Sequence, residues 1–244
     1  MSQGHEPRDV SMAEHSELLA RLRAVKPPPA VLDRERERRL TTRQREILDH
    51  LGEMFDDGFA GLTMATIAAR SNCSLRTLYG LAPSRDELVL IVVDRNLWRV
   101  GRGAKEMITP QMEPLEALQA YLEAANEAVD GMTVPFARDL ASMPAAQRQW
   151  ELHAGYLVEI ARCLLDLAVQ RGEIPEVDTA AVARVMAGLG VELSRPAVMP
   201  TLQTSPKQAA GSIVSLMILG LRASRTAAAT AVPTRQAPRR KGAA

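Results

Sequence analysis

The sequence predicts an all-α fold, with a three-helix helix-turn-helix head followed by a larger helical body. Three observations carry that prediction. Apolar residues recur at spacings of three and four along most of the 244-residue chain, which is the period of one helix face. Helix-start signatures stand at Ser11-x-x-Glu14, Thr41-x-x-Gln44, Ser84-x-x-Glu87 and Ser205-x-x-Gln208. In each, a hydroxyl and an acid or amide three residues on can satisfy orphan backbone donors reciprocally. Alternating β-branched runs bounded by turns, the mark of strands, are almost absent.

Composition narrows the class. Hydrophobic residues make up 46% of the chain, enough for a sizeable core. The formal charge is +1, so any nucleic-acid site must be a local patch rather than a general basic coat. Cys73 and Cys163 are far apart. They offer neither a disulfide framework nor a zinc spacing, which suits a reducing cytoplasm. The first residues are polar and lack the apolar core of a signal peptide. The most apolar run, Ile213–Leu221, is far short of the roughly 20 residues of a membrane span. The expectation is a soluble cytoplasmic protein with no membrane, metal or cofactor requirement.

Residues 1–40 read as a partly disordered extension. Leu18, Leu19, Leu22 and Val25 share a helical face, and Pro27-Pro28-Pro29 stops that short helix. The run Arg34–Arg39 (RERERR) is either a solvated charged segment or a basic arm on DNA phosphate or minor groove. The head spans 41–83. Its first helix carries Ile47, Leu48, Leu51, Met54 and Phe55 and ends at Gly58. Thr63 can cap the next helix, which presents Ile67 and the small Ala68 toward Leu75 and Leu78 of the third. Between these two helices Asn72 can take the left-handed turn conformation, and Ser74 can cap the third helix. That third helix exposes Ser74, Arg76, Thr77 and Tyr79, groups able to bond base edges and phosphates.

The body is expected over 84–224. Its first helix carries Leu88 to Trp98 and runs to Gly101 and Gly103, a hinge or an ordinary helix end. Thr109-Pro110 or Glu113-Pro114 opens the next, and Asp130-Gly131 ends it. A short helix runs from Val134 to Ser142. Pro144 opens a long one that ends at Gly172 and is apolar nearly all round, so burial is expected. Asp178 and Ser205 start the last two. The tail 225–244 has five basic residues (Arg225, Arg235, Arg239, Arg240 and Lys241) and no acid, so disorder is expected.

Residues 42–88 resemble the DNA-binding domain of the tetracycline-repressor (TetR) family of bacterial transcriptional regulators. The resemblance rests on Thr63-x-x-x-Ile67-Ala68, a tight turn, Ser74-x-x-Thr77-Leu78-Tyr79, and Pro83-Ser84-Arg85-x-Glu87-Leu88. The sequence departs from the family at Asn72-Cys73, where Gly-Val is usual. It departs again at Ala82, where a large apolar residue is usual, and at Arg85, where Lys is usual. The resemblance implies a ligand-responsive dimeric repressor on double-stranded DNA. Arg76, Thr77 and Ser74 would read bases, while Tyr79, Arg85, Thr63 and Thr42 would hold phosphates.

The two low-charge helices within 178–224 pack inside the chain or against a second copy; the resemblance favours a homodimer and hence a palindromic operator. There Gly188, Gly190, Gly211 and Gly220 would let backbones approach closely. The middle helices correspond to the family's ligand-binding core, where Tyr121, Phe136, Trp150, His153 and Tyr156 are candidates to line a site for an unknown small-molecule effector. Met107, Met112, Met132 and Met143 add adaptable apolar surface. Each of these residues has plain core packing as its alternative. No catalytic constellation is visible, since His5, His15, His50 and His153 are scattered. A helical interaction module without DNA binding and a small all-helical enzyme are the other readings.

Overall fold

The computed structural model describes residues 12–129 and 133–230. The Ser11 capping box, the Asp130-Gly131 break, Met132 and the tail beyond Thr230 lie outside the described residues.

The chain is all-helical. Two short helices, α1 (Met12–Ala24) and α2 (Arg34–Arg39), precede the head. The head is α3 (Thr42–Asp56), α4 (Met64–Arg70) and α5 (Leu75–Leu81). Then follow α6 (Arg85–Glu106), α7 (Pro114–Ala125), α8 (Val134–Ser142), α9 (Pro144–Gln170), α10 (Thr179–Leu193) and α11 (Pro206–Thr230). Most starts are capped as the side chains dictate. Thr41 and Gln44 form a reciprocal box at α3. The hydroxyl of Ser84 accepts from the Glu87 N–H, and that of Ser205 from the Gln208 N–H, each at 3.2 Å. Thr133 and Asp178 cap α8 and α10.

Two apolar cores result. The first joins the head to the first half of α6: Leu51, Phe55, Ile67 and Leu78 pack with Leu88, Val89 and Val92. The second unites α7, α9, α10 and α11 around Leu118, Tyr121, Ile160, Leu164, Met186 and Ile218. Burying each of Ile160, Leu164 and Leu165 contributes about 2 kcal/mol of transfer free energy. Because α6 belongs to the first core and also packs on α7 and α9, it is the strut between head and body.

Several expectations need correction. The segment read as an extension is built in: Leu18 and Leu22 of α1 are 0% and 5% exposed and belong to the body core. Helix α6 does not end at Gly101 or Gly103 but continues to Glu106, since glycine weakens a helix by only about 1 kcal/mol. Helix α9 is not buried all round: its first half buries only Ala146 and Gln149, while Leu152 is 47% exposed, and the continuous buried stretch begins at Ile160. Helix α11 continues through 225–230, where the alanines Ala227–Ala229 have the strongest helix propensity. Of the two candidate starts before α7, the chain uses Glu113-Pro114. Within the chain Gly188, Gly211 and Gly220 meet no other backbone: a methyl group there would find open space. Among the described residues, no helix is long and apolar enough to cross a membrane.

Candidate nucleic-acid interface

Ile67 and Ala68 of α4 and Leu78 of α5 are at most 5% exposed, so the two helices of the motif are pinned at their crossing. The turn between them depends on Asn72. Its φ is 46°, the one positive non-glycine value among the described residues. The Asn72 N–H donates to the Ala69 carbonyl and the Cys73 N–H to the Ala68 carbonyl at 3.0 Å, the paired closure of a helix whose next residue is left-handed. From α3 the Arg43 guanidinium reaches the carbonyls of Ser71 and Asn72 at 3.4 and 3.3 Å. Burial pushes the Cys73 thiol up, with Arg43 opposing it, so Cys73 is a packing residue of the turn. Ala82 is 1% exposed and Leu81 3%, and both belong to the first core.

With its back fixed, α5 turns a polar face to solvent. Ser74 caps it, accepting from the Thr77 N–H, and the Ser74 and Thr77 hydroxyls bond each other at 2.9 Å. Arg76 is exposed; among the described residues its side chain has no hydrogen-bond or ion-pair partner. Tyr79 is 54% exposed. Thr42, the first residue of α3, and Thr63, the cap of α4, are exposed on the same head. Thr63, Tyr79 and Arg85 share an open groove with Leu62, Met64 and Leu75. Arg85 is already engaged: it donates to the Phe59 carbonyl, pairs with Asp86 at 2.7 Å and lies over the Phe59 ring. Leu75 departs from the expected packing role. It is 44% exposed in the first turn of α5, one turn before the contact made by Leu78, and adds apolar surface to the reading face.

Sequence reasoning also missed the junction behind the head. The Asp139 carboxylate of α8 accepts from the N–H groups of Phe59 and Ala60 at 2.5 and 2.7 Å. Gly58 has φ +96°, and a methyl group there would lie 3.0 Å from the same carboxylate. These partners are about 80 residues apart in sequence, so no local pattern points to them.

In the body, Tyr121, Trp150, His153 and Tyr156 meet around one apolar cavity of about 70 Å³. Tyr121 is 1% exposed, and burial pushes its phenol well above the ordinary value. Lys105 donates to the Tyr156 hydroxyl. His153 bonds the buried Asp94 carboxylate at 2.9 Å and stands edge-on to Trp98. The cavity is well below the roughly 300 Å³ of a small-molecule site. Phe136 is absent from its lining, contrary to expectation. It packs edge-on against Phe59, with ring centroids 5.8 Å apart, because α8 lies against both α9 and the head, and its Leu140 and Phe136 join the first core. It lines a neighbouring cleft of about 360 Å³ between α3 and α6. Among the described residues, no group of His, Cys, Asp and Glu side chains is placed to hold a metal.

The head and body together make an all-helical helix-turn-helix fold. Its particular form is TetR-like, as comparison with solved structures shows. A putative TetR-family transcriptional regulator from Rhodococcus sp. superposes with a TM-score of 0.60 at 20% identity, covering 75% of this chain and 100% of that one. PfmR, a TetR-family transcriptional regulator from Thermus thermophilus, gives 0.55 at 19% identity over 72% and 98%. The ketosteroid transcriptional regulator KstR2 of Mycobacterium tuberculosis gives 0.51 at 20% over 75% and 96%. No protein-family model and no curated protein matches the sequence. At these identities the likeness is one of fold.

Proposed function

We propose that this chain is a dimeric transcriptional regulator that binds double-stranded operator DNA through α5, acts as a repressor and is released by a small-molecule effector. The observation that carries this reading is the α5 face itself: a rigidly backed helix with an exposed Arg76 that has no partner among the described residues, beside Ser74, Thr77 and Tyr79. Arg76 is the bidentate reader of a base edge. Ser74 and Thr77 add short polar contacts, and Tyr79, Thr63 and Thr42 hold phosphates. Arg85 contributes positive potential at the groove while it fastens Phe59. The fold likeness to transcriptional regulators supports the same reading.

Exposed Val185, Ile213, Leu216 and Leu219 on α10 and α11 support a two-fold partnership between copies of this chain. A two-fold dimer presents two α5 helices to a palindromic site. The effector acts by population shift, favouring a body with a wider cavity around Tyr121, Trp150, His153 and Tyr156 and so re-aiming α6 and the head. Such a protein works where the DNA is, in the bacterial cytoplasm, and the reading assigns it no enzymatic activity.

Selection of bound sites from random DNA tests this directly, and a palindrome is the expected product. Arg76→Ala should then weaken binding to that site by about 1–3 kcal/mol and relax the preference at one base pair in each half. Unchanged affinity and base preference for Arg76→Ala across several salt concentrations would remove Arg76 from the reading face.

A further inference from the structure

A cleft of about 620 Å³ lies apart from both the reading face and the body cavity. The amino-terminal segment walls it with Leu32, Arg34 and Arg38, and α6 with Trp98, Arg99 and Arg102; α3 closes the third side. Its volume is in the range, about 300–1,000 Å³, of small-molecule sites.

The charges around it do not cancel. Three acids border the cleft, Glu37, Asp49 and Asp94, and all three are occupied. Arg95 pairs with Glu37 and, at 3.2 Å, with Asp49. Asp94 accepts from the Val31 N–H, the Gln149 amide and His153. Arg99 interacts with the Asp56 carboxylate. Among the described residues, the side chains of Arg34, Arg38 and Arg102 have no hydrogen-bond or ion-pair partner. Trp98, on the same wall, has a buried indole Nε1–H without an acceptor.

We infer that this cleft binds a small amphiphilic anion. Its phosphate or carboxylate head sits among Arg34, Arg38 and Arg102, and its apolar part lies against Leu32 and Trp98. Guanidinium forks match both head groups, and Leu32 is only 7% exposed at the wall. The DNA backbone is the competing anion. The arginines are exposed at the mouth of a concave space walled by a segment and two helices, and the apolar surface of Leu32 and Trp98 within it matches an amphiphile and not a duplex backbone.

Calorimetric titration of the full chain without DNA tests the site, using n-octyl phosphate, n-octanoate and n-octanol below their micelle concentrations. At least one anion should bind once per chain, at least tenfold tighter than octanol, and the tighter of the two identifies the head group. Arg34→Gln with Arg102→Gln should weaken that anion at least tenfold, while Arg34→Lys with Arg102→Lys retains most of the affinity. Among the described residues neither arginine side chain has a partner, so the variants should keep the wild-type circular dichroism and melting temperature. Octanol binding as tightly as the anions, or a glutamine variant that binds like wild type, would overturn the assignment. So would absence of saturable heat with any of the three. If the glutamine variant loses DNA affinity and salt dependence while keeping the amphiphile, the arginines serve the DNA backbone and the inference is wrong.

Discussion

At the residue scale, Asn72 carries the largest consequence for its size. A φ of 46° costs most L-residues about 1–2 kcal/mol, and Asn less because its short polar side chain tolerates the left-handed region. Asn72→Gly should leave the unfolding free energy within about 0.5 kcal/mol of wild type, whereas Asn72→Val should lower it by about 1–2 kcal/mol. Chemical denaturation of both variants decides; equal stabilities would mean that the turn relaxes freely. Glu173 makes a second point at this scale. Burial first, then the neighbouring Glu113, raises its carboxyl from 4.5 to about 7, against the opposing Leu115 N–H and Arg171. The folded state therefore holds this proton more tightly than the unfolded chain. The associated stability is fully present below about pH 4.5, declines as pH rises toward about 7, and is absent above. Glu173→Gln should melt above wild type at about pH 8, with the advantage gone near pH 4.5. A pH-independent difference between the two would show that Glu173 does not titrate in this window.

At the scale of elements, the buried Asp94 staples three parts of the chain. It is 2% exposed and accepts from Val31 at 2.8 Å, Gln149 at 2.6 Å and His153 at 2.9 Å. Gln149 also donates to the Pro29 carbonyl. The segment before α2 is thereby held against α6 and α9. Asp94→Ala strands these buried donors together, so a loss of about 2–4 kcal/mol is expected. Urea unfolding measures it, and a loss under about 1 kcal/mol would show that water or a rearranged segment replaces the carboxylate. The staple is also why the amino-terminal region belongs to the fold although its sequence suggests an extension. Its polar sequence gives no sign of a carboxylate 63 residues away, and Leu18 and Leu22 acquire a core only when α9 lies beneath them.

For the whole molecule, the decisive surface is the outer face of α10 and α11. Leu216 is 68% exposed, Leu219 62% and Val185 54%, large apolar side chains left open on two helices that pack together. Under the proposed two-fold assembly, Leu216→Glu with Leu219→Glu should convert a dimer into a folded monomer in sedimentation velocity, and operator binding should fall with it. A wild-type chain that sediments as a monomer at tens of micromolar would remove the dimer from the proposal. The open space beside Gly188, Gly211 and Gly220 lies on these same two helices, so the close backbone approach read from those glycines does not occur inside one chain.

The sequence by itself determined the local architecture. Helix periods, caps at Thr41, Thr63, Ser74, Ser84 and Asp178, and the left-handed turn at Asn72 depend on neighbours three or four residues apart. The polar face of α5 was legible for the same reason, since exposure on a helix follows from angular position once Leu78 is known to face inward. Only the tertiary structure decided what joins what over long separations. It set Phe136 against Phe59 instead of in the body cavity, Arg85 and Asp139 on the turn at Phe59, and Asp94 on Val31. It also gathered Arg34, Arg38 and Arg102 around one cleft. Charge pairing and cavity shape depend on which surfaces meet when helices pack, and the spacing of residues along a single helix carries no record of that.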